Sequence, residues 1–306
     1  MKYKSYILIV FLIFCILFPV SNIYASKLLT DQMGRKVTIP DNPIRVVSLA
    51  PSITEIVFVL GHKNRLVGVT RFSDFPETAK KLPKVGSYVH LDLEKIISLK
   101  PDLCIAIKDG NPKVVVDRLE SLNIPVYVVN PRNLETVMKT ITEIGSLLNS
   151  NEKAHSVVKN MKSRIQNVKA KTSNVIYRPR VFFQIGISPI VSVGTHTFAH
   201  ELIELAGGTN LSKGPIPYPR FSKEQVLSLS PEVFIITSMT RNTIFERVKK
   251  EWSKWPSLPA VRDKRIHLED SNLFDRPTPR LVAGLEHLAR RIHPELFRPE
   301  PFEKEN

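Results

Sequence analysis

Leu91–Ile107, LDLEKIISLKPDLCIAI, decides the fold, because Phe221–Thr237, FSKEQVLSLSPEVFIIT, repeats it without a gap. The two stretches share Glu94/Glu224, Ser98/Ser228, Leu99/Leu229, Pro101/Pro231 and Ile105/Ile235, and most other positions exchange like for like. Each copy reads as a short helix, a proline that ends it, and an apolar strand. A unit this small cannot bury its own apolar face. The copies lie 130 residues apart, from Leu91 to Phe221, far beyond the period of a solenoid. Two lobes of like design are predicted, with a cleft between them that binds something.

Upstream of the first copy, Ile44–Ala50 reads as an apolar strand turned by Pro51, and Ser52 through Glu55 has the capping-box spacing that opens a helix ending at Gly61. Leu66–Thr70 and Pro125–Asn130 read as further strands, Pro112–Leu122 and Leu134–Leu148 as helices. Strands apolar throughout, alternating with helices, predict α/β lobes whose parallel sheets are covered on both faces. Glu152–Lys171 differs, since Ala154, Val157, Val158, Met161, Ile165 and Val168 recur at helical spacing in a polar, basic background. That pattern predicts an amphipathic helix roughly 30 Å long between the lobes. The second lobe starts at the strand Arg180–Ile185 and carries helices at Thr197–Ala206 and Pro279–Ile292, a capping box at Ser222 and Gln225, and a strand at Arg265–Leu268. The expected division is a signal peptide over 1–25, an N-terminal lobe over 26–150, a bridging helix over 151–173, a C-terminal lobe over 174–297 and a tail over 298–306.

Lys2 and Lys4, the uncharged run Ile7–Phe18 and the small Ala25 have the layout of a cleavable secretory signal. The run is shorter than the roughly 20 apolar residues of a membrane anchor, and it meets Pro19. Cys15 follows Ile13 and Phe14, not the small residue a lipoprotein site wants. Cleavage leaves about 280 residues and a single cysteine, Cys104, in an apolar strand, so both lobes must stand on packing without a disulfide. The net charge of +15 comes from lysines and arginines interleaved with acids, without a dense basic run or a nucleic-acid-binding signature. It reads as a solvated basic surface, and no nucleic-acid partner is expected. No GxSxG, P-loop, HExxH or GxGxxG supports an enzyme. His196 and His200, beside Glu201 and Glu204, have the spacing of a zinc pair but no evident third ligand, so an exported zinc or iron binder is the weaker alternative.

The runs RVVSLAPSITEIVFVLG, LVGVTRFSDFP, LPKVGSYVHLDLEKIISLKPDL, TFAHELIELAGGTNL and FSKEQVLSLSP together resemble the iron-siderophore/vitamin B12 family of periplasmic binding proteins, from about Ile44 to Pro294. RFSDFP, GSYVHLDLEKI, IPYPRFSKEQV and NLFDRPTPR fall where its cobalamin-binding members have similar wording. The resemblance implies two Rossmann-like lobes with parallel sheets, joined by one long backbone helix that permits only small closure motions. It implies a monomer in the periplasm of a Gram-negative cell, without catalysis and without a resident cofactor. The implied cargo is cobalamin or another corrinoid, with haem or a ferric siderophore as the alternative. The implied partner is the transmembrane permease of a cobalamin-type ABC importer.

Family members dock on permease arginines through one surface glutamate per lobe, and Glu94 and Glu224 match those positions. Taken singly, each acid is also explained by the helix dipole, which favours a first-turn carboxylate by roughly 0.3–1 kcal/mol. Phe72, Tyr88, Tyr218 and Phe274 are aromatic residues in polar or proline-rich loops, suited to wall a flat macrocycle. Asn272, Asp275 and Arg276 flank Phe274 and suit the amide side groups of a corrin, while Arg276 and Arg280 suit a carboxylate-bearing ligand equally. Cobalamin binders carry tryptophans where Tyr88 and Tyr218 stand, and Lys108 and Val191 stand where larger rings would help. These departures point to a weaker pocket or a different corrinoid.

Overall fold

In the computed structural model, which describes residues 25–238 and 243–297, the two copies of the repeat take equivalent places in two separate sheets. All of the expected signal peptide but Ala25, and the tail over 298–306, lie outside the described residues. The chain opens with an antiparallel hairpin, β1 (Ser26–Thr30) and β2 (Lys36–Pro40). The N-terminal lobe follows as β3 (Val46–Ser48), α1 (Pro51–Val59), β4 (Leu66–Val69), α2 (Leu93–Ser98), β5 (Leu103–Ile107), α3 (Lys113–Ser121), β6 (Val126–Val129) and α4 (Leu134–Leu147). Helix α5 (Asn151–Thr172) leads to the C-terminal lobe. That lobe comprises β7 (Arg180–Gln184), β8 (Gly186–Ile187), β9 (Ile190–Val191), α6 (Phe198–Leu205), β10 (Thr209–Asn210), β11 (Arg220–Phe221), α7 (Lys223–Leu229), β12 (Val233–Ser238), α8 (Thr243–Trp252), α9 (Pro259–Arg262), β13 (Ile266–Asp270) and α10 (Arg280–Ile292).

The first sheet runs β4-β3-β5-β6 and the second β10-β7-β12-β13, both wholly parallel. The repeat thus delivers β5 and β12 to the third position of their sheets. Even the register agrees: Leu103 pairs with Val46 as its counterpart Val233 pairs with Val181. Side chains alternate strictly between the two faces of each sheet, as a pleated strand requires. Leu103 and Ile105 join Val181, Phe183, Val233 and Ile235 in one apolar core that runs through both lobes. Cys104 and Ala106 point into a second core, on the outer face of the first sheet. Phe182, Phe234 and Ile236 point into a third, on the outer face of the second.

The shared core is where α5 sits, burying Ala154, Met161, Ile165 and Val168. Its 22 residues span about 33 Å at about 1.5 Å per residue. Glu152 in its first turn and Lys169 and Lys171 in its last complement the helix dipole. Gly145 lets α4 approach so closely that a methyl group there would overlap Ala154. On the other side Arg164 of α5 donates to Glu286 of α10 at 2.6 and 2.8 Å.

Two expectations need amendment. Helix α1 has no capping box: Ala50 is its N-cap without a side-chain bond, and Pro51 starts it. The box at Ser222 and Gln225 does form, with reciprocal bonds of 3.2 and 2.7 Å. The hairpin β1-β2 and the small antiparallel sheet β11-β9-β8 were not signalled by the apolar pattern, because their strands are short and half-exposed.

Candidate ligand-binding cleft

Parallel strands gather their loops at one edge, beyond their carboxyl ends. In the N-terminal lobe those loops hold Phe72, Phe75 and Tyr88, large rings that are 50%, 45% and 37% exposed. They stand on a rigid base. The buried hydroxyls of Ser48, Thr54, Ser73 and Thr70 are linked in a chain with spacings of 2.8, 2.9 and 2.9 Å, fixing the loop that carries Phe72. Asn111 is buried and accepts from the Ile107 N–H at 2.7 Å while donating to the carbonyls of Leu49 and Tyr88 at 2.8 and 2.7 Å. One amide therefore ties the ends of β3 and β5 to the Tyr88 turn. Gly110, at φ +123°, lets the Tyr88 ring lie against the backbone, where any side chain would overlap it. Arg132 and Asp109 pair beside this turn.

The facing lobe contributes Tyr218, 59% exposed, from the loop between β10 and β11. Backbone bonds from Ser192 to Pro219 and from Gly194 to Pro217, at 2.9 and 2.7 Å, bind that loop to β9 and the segment after it. Gly194 makes this approach possible, since a methyl group there would overlap the Ile216 carbonyl. The Tyr218 phenol is raised above its usual value by desolvation, then by Asp275, Asp109 and Tyr88, against the pull of Arg132. Asp109, Tyr88 and Arg132 belong to the other lobe, so Tyr218 stands within electrostatic reach of them across the cleft.

The segment after β13 departs from expectation. Phe274 is 1% exposed, with its ring edge-on to Phe183 at 5.3 Å. It is a core residue of the C-terminal lobe and not a wall of the cleft. Its loop position conceals that the chain turns inward there, beneath α10. Asn272 donates its backbone and side-chain N–H groups to Asp270 at 3.0 and 2.8 Å. Asp275 keeps an exposed surface; desolvation pushes its carboxyl up to about 6, with Arg276 opposing the rise and Asp270 adding to it.

Arg276 and Arg280 both reach across to Glu55 of α1. Arg280 donates Nε and Nη2 to Glu55 at 2.8 and 2.7 Å, and Arg276 donates Nη1 to Glu55 at 3.0 Å and to Asp74 at 2.8 Å. Arg276 also donates to the Phe72 carbonyl at 3.2 Å, and the Arg280 guanidinium lies 4.0 Å from the Phe75 ring centroid. Glu55 itself is 4% exposed. A lone acid inside the apolar helix SITEIVFVL was the available signal, since a buried glutamate requires a partner. Asn111, Gly110 and Phe75 were missed as well.

Glu94 and Glu224 are both exposed, in the first turns of α2 and α7. Asp92 caps α2 by accepting from the Lys95 N–H at 2.9 Å. A hydrogen bond with Ser222 holds the Glu224 carboxyl below its usual range. His200 is engaged with Asn210 at 3.0 Å and is lowered by desolvation. Glu201 accepts from the Leu134 N–H at 2.8 Å, a carboxylate contact between the lobes in the opposite direction to those of Glu55 and Asp74. Lys108 is exposed in the turn that follows β5, and Val191 is a member of β9 packed against Gly186.

A family model described as periplasmic binding protein matches residues 46–273. A relative from Vibrio vulnificus (strain CMCP6) named vitamin B12-binding protein is 32% identical over 252 residues, covering 81% of this chain and 89% of its own length. One of the same name from Yersinia pestis (strain Pestoides F) is 30% identical over 249 residues, covering 81% and 86%. The solved periplasmic vitamin B12 binding protein BtuF of Vibrio cholerae has a TM-score of 0.72 at 27% identity, over 85% of this chain and 100% of that one. The periplasmic heme-binding protein RhuT from Roseiflexus sp. RS-1, in apo form, shares the fold, with a TM-score of 0.73 at 24% identity over 82% and 98%. The family match begins at the first strand of one lobe and ends past the last strand of the other, and the two-lobed architecture recurs in these neighbours: the chain belongs to the periplasmic binding protein family.

Proposed function

We propose that this protein captures a corrinoid, cobalamin or a close relative of it, in the cleft between its lobes and delivers it to the permease of an ABC importer. The observation that carries the reading is the set of exposed aromatic side chains at the mouths of both sheets: Phe72, Phe75 and Tyr88 on one lobe, Tyr218 on the other. Such rings offer a flat macrocycle large contact area and lose little rotamer entropy on binding. The names of the relatives from Vibrio and Yersinia support the same ligand class. The protein acts as a carrier, so binding and release without chemistry are its whole task, in the periplasm. Glu94 and Glu224 are the docking acids in this reading. They occupy matching, exposed first turns, on lobes that share one core. Calorimetric titration of the mature chain against cobalamin, cobinamide, haem and a ferric siderophore tests the reading. Saturable one-to-one binding of a corrinoid is expected, and binding of the ferric siderophore alone overturns it.

A further inference from the structure

The floor of the cleft is rich in charge, yet that charge is already matched. Arg276 and Arg280, the two cations that a ligand entering between the lobes would meet, are 16% and 20% exposed in their side chains and both point at Glu55, which is 3% exposed. Asp74 takes a further bond from Arg276 at 2.8 Å. Lys84 lies within the field of Asp74 and donates to the carbonyls of Ser73 and Ala79 at 3.3 and 3.0 Å. Asp275 adds one more carboxyl next to Arg276. Three cations, Arg276, Arg280 and Lys84, thus face three acids, Glu55, Asp74 and Asp275. Of the other cations at this end, Arg132 is paired with Asp109. Arg71 stands on the rim against the exposed face of Phe72, at 5.3 Å, where solvent and salt screen it. Lys108 is exposed in the turn after β5, where solvent and salt screen it as well.

A planar guanidinium grips a carboxylate through paired, charge-assisted bonds. Here the buried Glu55 fills the fork of Arg280, while Arg276 is divided among Glu55, Asp74 and the Phe72 carbonyl. A ligand carboxylate entering this floor would find no unpaired partner and would meet Asp74 and Asp275. Amide groups carry no charge to repel, and they can both accept and donate.

We infer that Glu55 sets the class of macrocycle the cleft accepts, admitting rings edged with neutral amides and rejecting rings edged with carboxylates. The inference rests on the corrinoid reading for the ligand class. It adds the selecting residue, which touches the arginines and not the ligand.

The test compares three probes: cobalamin, cobalamin with one peripheral amide hydrolysed to a carboxylate, and haem with its two propionates. Affinities are read by calorimetry or tyrosine fluorescence on the mature wild type and on Glu55→Gln. The wild type should hold cobalamin at least about tenfold more tightly than its monocarboxylate, and in Glu55→Gln that ratio should shrink by roughly tenfold, the scale of one charge-assisted contact. Haem affinity should rise in the same variant. A second variant keeps the test alive if Glu55→Gln does not fold. Arg276→Gln retains Glu55 and removes a cation, so the ratio should widen. Equal wild-type affinities for amide and carboxylate, or a ratio that neither variant moves, overturns the inference. If the wild type binds no corrinoid, the ligand reading fails by itself. The haem arm still decides the role of Glu55, since gain on Glu55→Gln upholds it and no gain removes it.

Discussion

Phe274→Ala separates a residue of the core from a residue of the cleft. The ring is 1% exposed, lies edge-on to Phe183 with an interplanar angle of 71°, and is pressed by Gly284 of α10, where a methyl group would come within 3.1 Å of its edge. Truncation removes the transfer free energy of a fully buried ring and leaves a cavity that α10 cannot close without moving against Leu273. Together these terms amount to about 3–5 kcal/mol for a phenylalanine, of which the lost edge-to-face pairing is about 0.5–1.5 kcal/mol. For a chain of this size about 1 kcal/mol corresponds to roughly 2–4 °C, so Tm should fall by about 6–20 °C. Phe274→Leu keeps most of the volume and should recover most of the loss. Urea titrations followed by far-UV circular dichroism read both variants, with corrinoid affinity measured alongside under native conditions. A Phe274→Ala protein with wild-type stability and abolished ligand binding would show that the ring faces the ligand after all, and the packing argument would be wrong.

Tyr88→Ala and Tyr218→Ala should each weaken corrinoid binding by about 1–2 kcal/mol, because each withdraws an aromatic wall. The double variant, measured by calorimetry, should lose less than the sum of the two if both rings clasp one ligand. Reversing both docking acids, Glu94→Lys with Glu224→Lys, should abolish permease-stimulated uptake in vesicles while corrinoid affinity stays at the wild-type value; uptake at the wild-type rate removes the docking assignment.

Much of the architecture was legible because the signals were local or periodic. The repeat placed β5 and β12, and their register against β3 and β7 proved identical. The apolar stripe from Ala154 to Val168 marked α5 because a helix must bury one face, and the observed bounds differ by a single residue at each end. The cleft was legible in part. Phe72, Tyr88 and Tyr218 are exposed at the strand ends, as aromatic residues in polar loops suggested, whereas the same reasoning mistook Phe274. A loop aromatic looks alike in sequence whether the chain next turns outward or inward. The charge network was signalled only by a lone acid in an apolar helix, Glu55, and not by its partners. Arg276 and Arg280 stand 221 and 225 positions from Glu55, and no local pattern announces a partner at that distance. Ser52 through Glu55 instead carried a capping-box pattern, which Pro51 and the pull of two arginines leave unused.

The repeat also relates two of the carboxylates that cross the lobes, Glu55 and Glu201. Helix α1 follows β3 and α6 follows β7, strands in matching sheet positions. Glu55 of α1 reaches the first residue of α10, and Glu201 of α6 reaches the first residue of α4. Helices α4 and α10 are themselves equivalent, each following the last strand of its sheet. The fold therefore carries one contact twice, in opposite directions, but with different chemistry at its end. Glu55 meets two guanidinium groups, whereas Glu201 has no paired cation among the described residues: it accepts from the Leu134 N–H, the fields of Lys169 and Glu135 oppose one another, and desolvation raises its carboxyl above the usual range. The two should answer opposite ways to the same substitution. Glu55→Gln leaves the partly buried Arg280 without its carboxylate and Arg276 with Asp74 alone, and should cost about 3 kcal/mol of unfolding free energy. Glu201→Gln keeps an acceptor for Leu134 and removes an ill-solvated charge, so stability at neutral pH should hold or rise. The pH dependence follows from the raised carboxyl. The folded state binds the proton of Glu201 more readily than the unfolded state does, so the contribution is complete below the ordinary glutamate pKa and is lost as pH climbs through the folded value. Denaturant titrations at several pH values should show the advantage of wild type over Glu201→Gln shrinking as pH rises. A Glu201→Gln variant that loses as much stability as Glu55→Gln at neutral pH would mean that both carboxylates act as ion-pair partners, and the distinction between the two contacts would fall.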